Sequence, residues 1–239
     1  MSDGKREFDQ FSESYEQLLH DPIRDRFSPG GTEFFHLRKR DLIREYFRRR
    51  RTDTRKLAYL DLGCGKGELV SLLRNDFART AGCDPSEGML KAGGLASIGI
   101  EARVQEDPGR IPFEERAFDF VTAVCVFHHV PPSARAALVQ EACRVLKPGG
   151  TLAMIEHNPY NPATRLIVSR TPVDADAILL PPTETRRLFR GSGLSIDDQR
   201  YFLYFPESLY RRLNWLESAL GRVPFGGQYA VFARSALMG

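Results

Sequence analysis

Several things are scarce in these 239 residues. There is one tryptophan, and there are four methionines and four cysteines. The cysteines (Cys64, Cys83, Cys125, Cys143) stand far apart and form no C-x-x-C pair, so neither a disulfide framework nor a cysteine-rich metal site is expected. No apolar run approaches the roughly 20 residues that span a bilayer, and the polar start has no signal-peptide core, so the cytoplasm is the expected location. Net charge is only +3, too little to imply a nucleic-acid partner by itself. Two nucleotide-binding patterns are also missing. G-x-G-x-x-G fails at Glu68, and the P-loop spacing with its Lys-Ser/Thr is absent.

What is present centres on residues 57–73. Leu57, Ala58, Tyr59, Leu60 and Leu62 make a short apolar run of the length of a buried parallel strand. Gly63, Gly65 and Gly67 follow at every second position, and Glu68 to Leu73 then takes helical spacing. A strand that turns through glycines into a helix exposes bare backbone N–H groups to a ligand. Asp84, at the end of a second strand (Thr80 to Pro85), lies about twenty residues on, where a carboxylate can hold ribose hydroxyls. Glu101–Val104, Ala117–Cys125 and Thr151–Glu156 read as further strands. Ser133–Leu146 reads as an amphipathic helix with Ser133 as N-cap, stopped by Lys147-Pro148-Gly149-Gly150. Tyr201–Phe205 and Gln228–Ala233 complete seven strands, with a helix over Glu207–Leu220 between them. Five strand–helix units followed by a hairpin-like end predict an α/β fold: a doubly wound, Rossmann-like seven-stranded sheet, mostly parallel, with an antiparallel C-terminal edge.

The string D-L-G-C-G-K-G (61–67) resembles the first motif of class I S-adenosylmethionine-dependent methyltransferases of the small-molecule type. D-P-S-E-G-M-L (84–90), D-P-G-R-I-P-F (107–113), A-F-D-F-V (117–121), V-F-H-H-V (126–130) and V-L-K-P-G-G (145–150) are similar to that family's later landmarks. The resemblance is specific over residues 57–155 and loose outside them. It implies S-adenosyl-L-methionine as cofactor and S-adenosyl-L-homocysteine as product. It puts Asp61, Gly63, Cys64, Gly65 and Gly67 around the methionine end, Asp84 and Pro85 at the ribose, and Met89 and Asp107 at adenine. Val124 and Cys125 would lie under the sulfonium, and Tyr15 and Lys39 would reach the cofactor from N-terminal helices that act as a lid. Pro108 departs from the pattern by replacing a residue with a backbone N–H.

One domain is expected, divided into a helical lid (1–56), a cofactor core (57–155) and a substrate-side loop with the last strands (156–239). The expected reaction is direct displacement of the methyl group by a small-molecule acceptor, on oxygen or nitrogen. His157 and His128, following the fifth and fourth strands, are the candidate general bases. No metal is expected, because no carboxylates directly follow the fourth strand. The basic run from Arg38 to Lys56 leaves open an RNA or protein acceptor, and a non-catalytic nucleoside-binding scaffold is the other alternative. Nucleic acid is not the favoured partner, and oligomeric state is left open.

Overall fold

The computed structural model describes residues 18–236. Tyr15 lies outside the described residues. Seven strands form one sheet: β1 (Ala58–Leu62), β2 (Arg79–Asp84), β3 (Glu101–Val104), β4 (Phe118–Val124), β5 (Leu146–His157), β6 (Ser195–Phe202) and β7 (Gln228–Arg234). Their order is β3-β2-β1-β4-β5-β7-β6. The first five run parallel, and β7 pairs antiparallel with both β5 and β6. This is the mostly parallel, Rossmann-like sheet with an antiparallel edge that the pattern predicts. No described helix is long and apolar enough to cross a membrane.

The helices are α1 (Pro22–Phe27), α2 (Glu33–Arg49), α3 (Glu68–Leu73), α4 (Glu87–Gly93), α5 (Pro132–Val145), α6 (Pro162–Val168), α7 (Pro182–Gly191) and α8 (Glu207–Leu220). They cover both sheet faces, which is why the central strands are apolar throughout rather than alternating. Leu60, Leu62, Val121, Ala123, Met154 and Val231 face one layer, which holds Leu138, Val139 and Ala142 of α5 and Phe189 of α7. Tyr59, Phe120, Ile155 and Phe232 face the other, with Ile43 and Phe47 of α2 and Val70 and Leu73 of α3. On that second face the Tyr46 ring stacks on Phe232 at 4.1 Å, and Phe120 meets Phe47 edge-on at 4.9 Å.

Local chemistry moves three predicted boundaries. Pro131 occupies the N-cap of α5, so Ser133 sits inside the first turn and caps nothing. Proline at the first helical position needs no donor there, and the turn starts without a side-chain cap. β5 begins at Leu146 and runs through the Lys-Pro-Gly-Gly stretch, because Leu146 pairs with Phe118 across a register shift before the main ladder resumes at Thr151. β6 spans Ser195–Phe202 rather than Tyr201–Phe205. It is an edge strand whose Asp197, Asp198, Gln199 and Arg200 hide it from an apolar-run reading. Leu203, at φ 63°, ends it, and Gly226 packs so close that a Cβ there would meet the Phe202 carbonyl oxygen at 2.4 Å.

Phe120 is fully buried among the rings of Phe47, Tyr59 and Phe77. Phe120→Ala is expected to lower unfolding free energy by about 3–5 kcal/mol in urea titrations, whereas Phe225→Ala, at a site 64% exposed, should stay within about 0.5 kcal/mol. A Phe120→Ala loss below about 1 kcal/mol would mean that the neighbouring rings collapse into the gap.

Candidate active site

Strand order reverses between β1 and β4, and open α/β sheets place ligands at the carboxyl ends of the strands at such a point. A cavity of about 1330 Å³ lies there, larger than the roughly 300–1,000 Å³ of most small-molecule sites, and so has room for two ligands. Among the sequence candidates, Lys39, Asp61, Gly63, Cys64, Gly65, Asp84, Pro85, Met89, Asp107, Val124, Cys125 and His157 line it. Gly67 and His128 do not. Gly67, at φ 81°, is the N-cap of α3, and a Cβ there would strike Leu95 at 2.3 Å.

The turn after β1 is held by backbone: the Gly63 and Cys64 N–H groups both donate to the Cys83 carbonyl. Gly63 (φ 69°) could not carry a side chain, since a Cβ would lie 2.4 Å from Val126. Gly65 (φ 56°) has open space where a Cβ would be, so its backbone faces the cavity bare. Asp84 closes the turn from β2. One carboxylate oxygen accepts from Gly65 N–H at 2.8 Å, and the other accepts from Ser86 N–H at 2.9 Å. Asp107 accepts from Gly109 N–H at 2.8 Å in a local turn on the cavity rim.

Asp61 is buried, and burial pushes its carboxyl up to about 7, only partly opposed by the Thr122 hydroxyl, which donates to it at 2.6 Å, and by the nearby Lys39 ammonium. At the opposite edge, Gln228 Nε2 donates to the Cys125 sulfur at 3.4 Å, while buried Gln228 Oε1 has no partner among the described residues. A buried carboxylate and an orphaned amide oxygen on the same cavity both call for an N–H or O–H donor. A ligand with an ammonium end, ribose hydroxyls and an adenine fits this lining, so the residues present suit S-adenosylmethionine.

Cys125 ends β4 at φ 56°, a left-handed conformation unusual outside glycine. Burial alone would raise its thiol. Lys39, whose Nζ lies 3.9 Å from the sulfur, and a hydrogen bond with His157 instead bring it down to about 7.

The two adjacent histidines face different ways, and His128, a candidate base, does not reach the cavity. His128 is 2% exposed and sits behind the cavity wall. Its Nδ1 meets Glu156 Oε2 at 2.6 Å and its Nε2 meets Asp174 Oδ1 at 3.4 Å. Burial lowers its pKa, but the two carboxylates outweigh that and raise it to about 10, so at neutral pH it holds its proton and cannot act as a base. His129 lines the cavity. Burial, reinforced by charged His128, pulls it down to about 4 and leaves it neutral. His157 lines the cavity beside Cys125 and pairs in register with Gln228.

Sequence reading missed three contributors. Glu156 accepts from Val126 N–H at 3.0 Å, Phe127 N–H at 2.7 Å and His128, fixing the loop after β4; a lone carboxylate closing a buried strand was its only signal. Gln228 carried a fainter one, a polar residue opening an apolar strand after Gly226-Gly227. Asp174, in a short 3₁₀ turn (Pro172–Asp174), carried none.

A family described as "Methyltransferase domain" matches residues 60–154. An uncharacterized methyltransferase of Synechocystis sp. is 35% identical over 105 residues, covering 43% of this chain, and the chain spans about half of that relative (48%). A ubiquinone biosynthesis O-methyltransferase of Leptothrix cholodnii is 30% identical over 183 residues, covering 68% of this chain and 73% of that protein. A tRNA (carboxymethyluridine(34)-5-O)-methyltransferase of Arabidopsis thaliana is 31% identical over 117 residues, 48% of this chain and 28% of that protein. Among solved structures, a SAM-dependent methyltransferase from Archaeoglobus fulgidus superposes with a TM-score of 0.60 at 19% identity, covering 82% of this chain and 94% of that one. Sheet order, glycine turn, the carboxylates of β1 and β2 and these similarities agree: the chain belongs to the class I S-adenosylmethionine-dependent methyltransferases.

Proposed function

We propose that this methyltransferase acts on a small, largely apolar acceptor and methylates it on oxygen, with nitrogen as the alternative nucleophile. The observation that carries the reading is the second half of the cavity. Ile23 and Phe27 of α1, Phe35 of α2, and Ala163, Ile167 and Val168 of α6 wall it with apolar surface, and His157 stands where β5 opens into it. The cavity's closure by α1 and α2 suits a compact acceptor better than a polymer. The basic run also favours it. Arg38, Arg40, Arg44, Arg49, Arg50 and Lys56 form ion pairs within the protein, and Lys39 turns inward to the cavity. Apart from Lys39, which faces the cavity, only Arg48, Arg51 and Arg55 of that run make no ion pair among the described residues, a thin footprint for nucleic acid.

S-adenosylmethionine, when bound, supplies a methyl group on a sulfonium that is already a good leaving group. The protein's part is to bind, align and keep dry. In our reading Asp61 takes the amino end of the cofactor, Asp84 the ribose hydroxyls, and Met89 and Asp107 the adenine. Cys125, Val124 and Gln228 border the reacting atoms. His157 accepts the acceptor's proton, and His128 is set aside as a base because its proton is held from both sides.

The deciding experiment is transfer of labelled methyl groups into an extract sorted into small-molecule, lipid, protein and nucleic-acid fractions. Label is expected in the organic-soluble pool. Asp84→Ala, expected to weaken cofactor binding by about 1.5–3 kcal/mol through lost charge-assisted hydrogen bonds, should nearly abolish it. Label in RNA or protein would overturn the acceptor class. His157→Ala should cut turnover by about 10²–10⁴-fold while S-adenosylhomocysteine affinity measured by calorimetry stays the same; an unimpaired variant removes His157 as base.

Asp61 gives a pH dependence with a definite sign. Its folded-state pKa is raised to about 7, so the free protein carries a neutral carboxyl below that pH and an ionised one above it. A cationic amino group binds the ionised form, so S-adenosylhomocysteine affinity should fall roughly tenfold per unit as pH drops below 7. Asp61→Asn should flatten the profile at the weak end. A profile unchanged from pH 5.5 to 8 in the parent protein would separate Asp61 from the amino group.

A further inference from the structure

The loop after β4 and the 3₁₀ turn at Pro172–Asp174 come together on the cavity wall. There, one ring nitrogen from His128, one from His129 and a carboxylate oxygen of Asp174 lie within 4.8 Å of one another. His128 Nε2 is 3.4 Å and His129 Nε2 3.5 Å from Asp174 Oδ1. An ion held tetrahedrally at about 2.0–2.2 Å from each ligand keeps neighbouring ligand atoms about 3.3–3.6 Å apart. We propose that His128, His129 and Asp174 form a binding site for a divalent first-row transition-metal ion, of the zinc, cobalt, manganese or ferrous class.

The second layer is built as a metal site needs. His128 offers Nε2 because its Nδ1 is engaged by Glu156 at 2.6 Å, and Glu156 is itself fixed by the N–H groups of Val126 and Phe127. A carboxylate behind a ligating imidazole sets its tautomer and ring direction and makes it a stronger donor. Asp174 is held to the same loop from its own side. Ile178 N–H donates to the His128 carbonyl at 2.8 Å. Fully buried Arg135 donates to the Phe127, Val130 and Ile178 carbonyls, tying the two segments together. The three ligands therefore do not depend on a flexible tip for their geometry.

Chemistry narrows the ion. Two imidazoles and one carboxylate suit borderline transition metals, whereas magnesium and calcium prefer all-oxygen shells. In the loaded site the ion takes the place of the proton on His128 Nε2. Two neutral imidazoles with the carboxylates of Asp174 and Glu156 then balance its double charge. His129 and Asp174 line the cavity, so the ion's remaining positions open toward its contents, and the His157 ring lies 5.1 Å from the His128 ring. The expectation of a metal-free site came from seeking carboxylates next to β4. Here the carboxylate arrives from a segment more than forty residues later.

The test uses the full chain, stripped with a chelator and titrated with cobalt(II) without cofactor or acceptor. Visible absorption reads coordination, and calorimetry with zinc(II) reads affinity. A single equivalent per chain, with the intense bands of low-coordinate cobalt, is expected. His129→Gln and Asp174→Asn should each weaken the affinity at least about tenfold, by analogy with the loss on perturbing metal-site partners. S-adenosylhomocysteine binding reports that each variant is folded and separates this outcome from a failure of the cofactor assignment. A cobalt spectrum identical to that of the aqueous ion, or full zinc affinity in either folded variant, overturns the site. If one variant fails to fold, the other decides.

Discussion

A single carboxylate, buried at the end of β5, governs how the cavity is walled. Glu156 is fully enclosed, and an unpaired charge there would cost several kcal/mol. It is satisfied by two backbone N–H groups of the loop after β4 and by the imidazole of His128. Because those partners all belong to one short stretch, satisfying Glu156 fixes that loop in place. The same loop carries the left-handed turn at Cys125, the inward face of His129 and the His128 ring that meets Asp174. β4 and β5 pair directly, Val124 opposite Ile155, so the clamp also joins the carboxyl ends of two adjacent strands where the sheet opens into the cavity.

A second dependency runs through α2. The helix was legible as a basic, half-apolar segment, and its charges look like a surface feature in the sequence. Folded, most act as struts. Arg38 reaches Glu217 of α8 at 2.5 Å while stacking on Tyr210, and Arg50 reaches Asp197 of β6 while lying over Tyr46. Buried ion pairs are weak evidence of net stabilisation. Their consequence here is registration: they fix the angle at which α2 crosses the sheet, and hence where Lys39 enters the cavity beside Asp61 and Cys125.

Legibility in the sequence followed locality. The glycine turn, its flanking strand and helix, and the carboxylate of β2 are set by residues close together in the chain, and each was readable from spacing. α8 was readable to its ends because its apolar residues recur at helical intervals over fourteen positions. β6 was misplaced because an edge strand need not alternate apolar and polar residues. The roles of His128 and His129 were unreadable because they are decided by which neighbour carries a negative charge, and those neighbours lie on β5 and on a turn after α6. Asp174 and Gln228 join the cavity only through tertiary folding, with no local pattern to announce them.

The cavity is assembled from two unrelated parts of the chain. The stretch matching the methyltransferase family, residues 60–154, supplies most of β1 to β5 and the cofactor's candidate ligands other than Tyr15 and Lys39. The rest of the cavity wall, where we propose the acceptor binds, comes from α1 and α2 ahead of it and from α6, the Asp174 turn and the start of β7 after it. Inheritance can therefore act on the halves separately. On the proposed acceptor assignment, substitutions in the flanks would reshape what is methylated while leaving the glycine turn and its carboxylates untouched.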